Sequence, residues 1–158
     1  MDVDKSVVVQ AIQDRIQEQL DGLIQMTAMA RDEATGGESK AENKYDTRAL
    51  EASYLAAGQG QRLAELRTSA AWYQTFDPHR VFSKATVGAL LGLEGDAGQR
   101  WLFLAPSGGI RVHVNDIRID VVSPQSPVGR ALLGRQCDEE VTLHTPGGAE
   151  TLEILYLL

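Results

Sequence analysis

Cysteine is almost missing from this chain. Cys137 stands alone among 158 residues, so neither an intrachain disulfide nor a cysteine zinc cluster can form. A reducing, cytoplasmic setting is the expectation that follows. Proline is absent before Pro78, which leaves the first half free of the residue that breaks helices most effectively. Positive charge is scarce too: 15 lysines and arginines face 22 acids, for a net charge of −7. That balance argues against a nonspecific grip on nucleic acid, which needs cationic side chains to neutralise phosphates. It leaves open an acidic feature that engages a basic surface on a protein partner. No stretch approaches the roughly 20 apolar residues of a membrane span, so no membrane partner is expected. The opening MDVDKSVVVQ carries acids early and only a short apolar run, so no signal peptide is expected. Neither a G-x-x-x-x-G-K-S/T run nor a G-x-G-x-x-G after a strand is present, and the corresponding nucleotide loops are excluded.

The first half is patterned for helix. Ile12, Ile16, Leu20, Leu23, Thr27 and Ala30 recur at steps of three and four, which predicts a helix from Lys5 to about Ala34. Gly36-Gly37 then stops it. A second helix is expected from about Glu38 to Ala70, on the stripe Tyr45, Ala49, Ala52, Ala56, Gln59, Leu63, Leu66 and Ala70. Heptad-type steps on both sides of a short turn predict an antiparallel coiled-coil hairpin. At about 1.5 Å per residue such a rod is roughly 45 Å long. Gly58 and Gly60 weaken the second helix, each by roughly 1 kcal/mol relative to alanine if exposed.

After 76-FDPHR-80, which reads as a linker, the period becomes alternating. Ala85 to Leu93, Trp101 to Ala105, Ile110 to Val114, Ile117 to Val122, Val141 to His144 and Thr151 to Leu158 read as strands. Gly95 to Gly98, 106-PSGG-109 and 145-TPGG-148 read as turns, and Pro146-Gly147 suits the centre of a type II turn. One short helix interrupts them in 126-SPVGRALLG-134, with Ser126 as cap, Pro127 at the first position and Gly134 at the exit. The expected class is α+β: a hairpin over residues 1–75 and a small antiparallel β domain with one short helix over 80–158.

The candidate chemistry sits near the hairpin tip, residues 32–46. Glu38 and Glu42 are four apart and would share a helix face, with Asn43 beside them. Asp32 and Glu33 are a second acid pair, while Lys40 and Lys44 dilute the local negative charge. His79, His113 and His144 lack ligand spacing, so no stably bound metal is expected from them. Trp101 and Phe103 read as sheet core, Trp72, Tyr73 and Phe76 as packing at the joint between rod and sheet domain, and Cys137 as a small core residue. Asp138 is expected to sit in a turn with positive φ.

A hairpin with 42-EN-43 and Tyr45 near its tip, followed by 122-VSPQSPVGRALLGRQCDEEVTLHTPGGAETLEILYL-157, resembles the bacterial Gre-type (GreA/GreB) transcription elongation factors, as a divergent member. The resemblance rests on the serine-proline before a short helix, Ala131-Leu132, Gly134, Val141 and Thr145-Pro146-Gly147-Gly148. It implies a C-terminal domain like that of FK506-binding proteins that docks on RNA polymerase, with the family's association with DNA. Ser126, Pro127, Arg130 and Arg135 are the docking candidates, and Arg118 is a further surface arginine. It also implies a hairpin that enters the polymerase secondary channel, where Glu38, Glu42 and Asn43 would act on the nascent RNA 3′ end. There they would help hold a Mg²⁺ shared with the polymerase and position a water for transcript cleavage. On that reading the chain is not itself an enzyme and binds no cofactor alone. The match departs from the family's pattern at the tip: Ser39 stands three residues before Glu42, where the cleavage factors carry an acid, and Tyr45 is one residue closer to Glu42-Asn43 than is usual. Asp138 stands where glycine is common, and Cys137 where an apolar residue is. The rival readings are a cleavage-inactive polymerase inhibitor of the same fold, a peptidyl-prolyl isomerase or chaperone, and a coiled-coil adaptor for another basic partner.

Overall fold

Proline-free residues with helical periodicity in the first half and alternating β-branched and aliphatic residues in the second divide the chain into two kinds of structure. The computed structural model describes residues 2–35 and 47–158. Two long helices come first, α1 (Lys5–Thr35) and α2 (Thr47–Thr75). Six strands and one short helix follow: β1 (Leu90–Gly95), β2 (Gly98–Leu104), β3 (Arg111–Val114), β4 (Ile117–Val122), α3 (Pro127–Leu132), β5 (Glu140–Thr145) and β6 (Gly148–Leu157). The architecture is α+β. The chain divides into one unit of Met1–Arg15 with Thr75–Leu158 and a second of Ile16–Gln74.

In the helical unit, Ile16, Leu20, Gln59, Leu66 and Tyr73 are buried, and Leu23 and Leu63 are half-buried. These are apolar-stripe positions at steps of three and four, with Gln59 the polar exception. The side chains of Thr27, Ala30, Ala49, Ala52 and Ala56 lie outside the described residues, as does Tyr45 with the expected onset of the second helix at Glu38. Gly58 and Gly60 both sit within α2. Burial pushes the Tyr73 hydroxyl above its ordinary pKa, because the phenolate would have to be desolvated.

In the sheet unit the strand order is β3-β4-β2-β1-β6-β5. Neighbours pair antiparallel except β2 and β4, which run parallel. The sheet is therefore mixed, which corrects the expected all-antiparallel arrangement. The reason lies in residues 105–110. This connection carries the chain from β2 past one strand position, about 10 Å at the usual strand spacing, before β3 begins. The β3–β4 hairpin then folds β4 back into the gap. Alternation reports which face a residue points to, not which strand it pairs with.

Three further expectations are corrected. β1 begins at Leu90 rather than Ala85, although Ala85 and Ala89 are fully buried. Ala85 instead exchanges backbone bonds with the exit of α3: its N–H donates to the Arg135 carbonyl (2.7 Å) and its carbonyl accepts from Gly134 (2.8 Å). The turn at Pro146-Gly147 places its positive φ on Gly148 (120°) rather than on Gly147, the pattern of a type I turn followed by a glycine bulge. Cys137 is exposed, not a core residue, because it precedes Asp138 in the left-handed turn (φ 68°) that leads into β5.

The sheet buries both faces. One carries Leu91, Leu93, Leu102, Leu104, Leu152 and Ile154, packed with Leu132 of α3. On the other, Trp101 and Phe103 are buried as expected, with Ile119 and Val121, and Phe76 meets Phe103 edge-on at 6.0 Å. Near this second face Lys5 is almost wholly buried. Its ammonium donates to the Arg80 carbonyl and lies 4.7 Å from the Phe82 ring centroid. Burial lowers the Lys5 pKa; Asp77 opposes that shift and Arg80 adds to it. An amine desolvated in this way is held by its carbonyl acceptor and the ring face.

Candidate functional site

The docking candidates gather around α3. Ser126 adopts an extended backbone (φ −68°, ψ 154°) before the helix, and its Oγ accepts from the Gly129 N–H at 3.0 Å. The same hydroxyl donates to the Ser123 carbonyl at 2.7 Å. One side chain thereby caps the helix and ties it to the preceding turn. Pro127 takes the first helical position, where its missing N–H costs nothing. Gly129 lies so close to that turn that a Cβ would stand 1.9 Å from the Ser123 carbonyl oxygen. Neither this approach nor the role of Ser123 is legible from residue types alone, because both depend on how the turn at 123–126 folds back on the first turn of α3.

Arg130 is exposed, and its Nε donates to the Gln125 carbonyl at 3.0 Å, which stiffens the guanidinium against the loop. Leu133 closes the helix and is 40% exposed. Gly134 follows with φ 79° as the exit. Arg135 is exposed while its carbonyl is held by Ala85. Ser126, Pro127 and Arg130 are thus brought together on one short turn, with Arg135 just beyond its far end. The arrangement offers an exposed proline, a leucine and two cations on a braced backbone.

The tip candidates Glu38, Glu42 and Asn43 lie outside the described residues. Among the described residues no group of three or more histidines, cysteines or acids is placed to hold a metal ion.

A second polar cluster went largely unread in the sequence. Arg111 and Arg118 both donate to Asp120: Arg111 through Nε (2.7 Å) and Arg118 through Nε (3.0 Å) and Nη2 (2.8 Å). Burial alone would raise the Asp120 pKa, but the hydrogen bonds from Arg118 and Arg111 outweigh it and hold the carboxyl below its ordinary value. Arg100 pairs with Glu150 at 3.6 Å. The readable signal was 115-ND-116. Both residues have positive φ (50° and 64°), as a two-residue hairpin turn requires, and that turn sets Arg111 opposite Asp120.

Residues 112–157 match the family model described as transcription elongation factor, GreA/GreB, C-term. Transcription elongation factor GreA of Legionella pneumophila is 45% identical over 40 residues, a quarter of this chain and a quarter of that protein. The chain's match thus spans about a quarter of the length of that relative. GreA of Halorhodospira halophila aligns over 135 residues at 27% identity, covering 84% of this chain and 79% of its own. Among solved structures, the GreA factor homolog 1 protein of Thermus thermophilus superposes with a TM-score of 0.39 at 16% identity, over 92% of this chain and 94% of its own, a likeness too low to bear on function. Through its C-terminal segment, residues 112–157, the chain is similar to the Gre-type (GreA/GreB) transcription elongation factors, as a divergent relative.

Proposed function

We propose that this protein is a transcription elongation factor that binds RNA polymerase through the α3 region and presents the tip between its two long helices to the polymerase active centre. The observation that carries the reading is the GreA/GreB match over residues 112–157, which contains α3 and its capping turn. The long helices serve reach in this reading. Paired as a coiled-coil hairpin, they would enter the secondary channel, while an FKBP-like sheet domain stays outside as the dock. Glu38 and Glu42 are oxygen donors of the kind Mg²⁺ prefers, and Asn43 adds an amide oxygen. The cation itself belongs to the polymerase, where it supplies charge stabilisation for phosphodiester hydrolysis. This chain's acids would steady it and orient a water at the nascent RNA 3′ end. The reaction stays the polymerase's own.

A second reading has a specific observation behind it. Ser39 replaces the first tip acid of the cleavage factors, and Lys40 and Lys44 flank Glu42. A tip with weaker pull on a cation would occupy the channel without promoting cleavage, as an inhibitor. A transcript-cleavage assay on a backtracked elongation complex at fixed Mg²⁺ separates the two. If wild type shortens the RNA, and Glu38→Ala or Glu42→Ala abolishes this while polymerase binding persists, the tip acids work on the cation. Binding without cleavage establishes the inhibitor. Absence of binding overturns the proposal.

A further inference from the structure

The sheet ends at two edges, β3 and β5. β5 is the longer, six residues against four, and it carries neither the lysine nor the proline that commonly blunts an exposed edge. The direction of its backbone groups follows from its start. Ile154 of β6 donates to the Glu139 carbonyl at 3.0 Å and accepts from the Asp138 N–H at 2.8 Å, so Ile154 faces β5. Bonding direction alternates along an antiparallel pair, so Leu152 and Glu150 bond in turn to Val141 and Leu143. Glu140, Thr142 and His144 therefore turn their N–H and C=O groups away from β6. Among the described residues no further strand or backbone segment meets them. Their side chains are exposed on one face of the sheet, while Val141 and Leu143 are buried on the other.

The exposed face beside this edge is acidic in register. Glu153 stands directly opposite Glu140 on one side and Glu94 of β1 on the other, a row of carboxylates across three strands. Like charges set opposite each other in a sheet repel, and the strands supply no counter-charge: β1, β5 and β6 contain neither lysine nor arginine. Glu150, the other acid on these strands, points to the opposite face and pairs with Arg100.

We infer that the β5 edge is a docking site for an extended, lysine- or arginine-bearing segment of a protein partner, which adds to the sheet as a further strand. Backbone bonds to Glu140, Thr142 and His144 supply the pairing, as in strand addition generally. The glutamate row supplies the choice of partner. A residue of the incoming strand opposite Glu140 lies about 5 Å from it between Cβ atoms, and a long basic side chain there reaches on toward Glu153, one strand spacing further. A second copy of this chain fits poorly, because β5 offers the row no lysine or arginine of its own. Leu132 of α3 shares a buried cluster with Val141 and Leu143 on the opposite face, so this site does not rest on docking through α3.

The test is a titration of the full chain with the peptide Thr-Lys-Val-Lys-Val-Lys-Thr, acetylated and amidated at its ends, followed by backbone amide hydrogen exchange in NMR. The same peptide with glutamate for lysine, and one N-methylated on the backbone of its lysines, serve as comparison probes. Saturable binding of the lysine peptide, with exchange slowed at the Glu140, Thr142 and His144 amides, is expected. Glu140→Gln combined with Glu153→Gln is expected to weaken that binding by about tenfold, and Glu65→Gln on α2 to leave it unchanged. Both glutamines lie on exposed surface, and near-UV circular dichroism confirms that the double variant is folded. No saturable binding, no slowing at those amides, equal binding of either comparison peptide, or unaltered binding by the double variant each overturn the inference. Exchange at the same amides that slows in the free chain as its concentration rises would also overturn it, assigning the edge to a second copy.

Discussion

Replacing Ser126 with alanine separates a structural duty from a docking one. The Ser126 Oγ accepts from Gly129 N–H and donates to the Ser123 carbonyl. Alanine orphans an N–H in the first turn of a helix only six residues long. Loss of a serine cap costs about 1 kcal/mol. The Ser123 carbonyl keeps its bond from the Ser126 backbone N–H at 3.1 Å, so losing the hydroxyl donor adds only about 0.5 kcal/mol. The expected total is about 1.5 kcal/mol, roughly a tenfold shift in the unfolding equilibrium. Urea unfolding read through Trp101, in a Trp72→Phe background so that one tryptophan reports, measures it. Ser126→Asp keeps the acceptor but loses the donor, and is expected to recover most of the loss. A Ser126→Ala variant within about 0.5 kcal/mol of its parent, the range of an ordinary surface change, would refute the reasoning. So would an aspartate no better than alanine. If polymerase binding then fell without a stability change, Ser126 would be a contact residue instead.

Other outcomes follow from the same geometry. Gly92→Ala would place a Cβ 2.8 Å from Tyr156 and 3.0 Å from Trp101, whose rings stack at 5.5 Å, so a loss of about 1–3 kcal/mol and an altered near-UV circular dichroism signal are expected. Tyr73 has its pKa raised in the fold by burial, so its contribution is complete below the unfolded value and is lost as pH rises above it. Stability measured in urea should therefore fall above about pH 10, and Tyr73→Phe should flatten that limb. Asp120 runs the other way. Its folded pKa is depressed, so its contribution is present above the ordinary carboxylate value and disappears as pH falls through the folded one. Asp120→Asn should lower stability at neutral pH and reduce the dependence on acid, which a urea series at descending pH would detect.

Local chemistry decided much of this protein before any two segments met. Pro-free, three-four patterned residues became α1 and α2, and the cap, first-position proline and exit glycine of α3 stand where Ser126, Pro127 and Gly134 placed them. Asp138 took positive φ, as a short polar residue can. The C-terminal family match was legible as well, because its motifs are contiguous.

What the chain order concealed were consequences of pairing. The parallel β2–β4 contact depends on a connection that skips one strand position, which no alternation pattern records. Ala85 and Ala89 looked like strand because they are small, apolar and fully buried, yet Ala85 bonds to the exit of α3 and only Gly88 and Ala89 meet β2, through Leu104. Cys137 looked like core and is exposed, since the left-handed turn at Asp138 governs its position rather than its own hydrophobicity. The second polar cluster draws residues from β2, β3, β4 and β6 that lie as much as 50 positions apart, Arg100 and Glu150 among them. By itself the sequence determined the elements and their caps, because those follow from neighbours within a few residues. Only the tertiary structure decided which strands lie side by side and which charges meet, because those depend on contacts between segments distant in the chain.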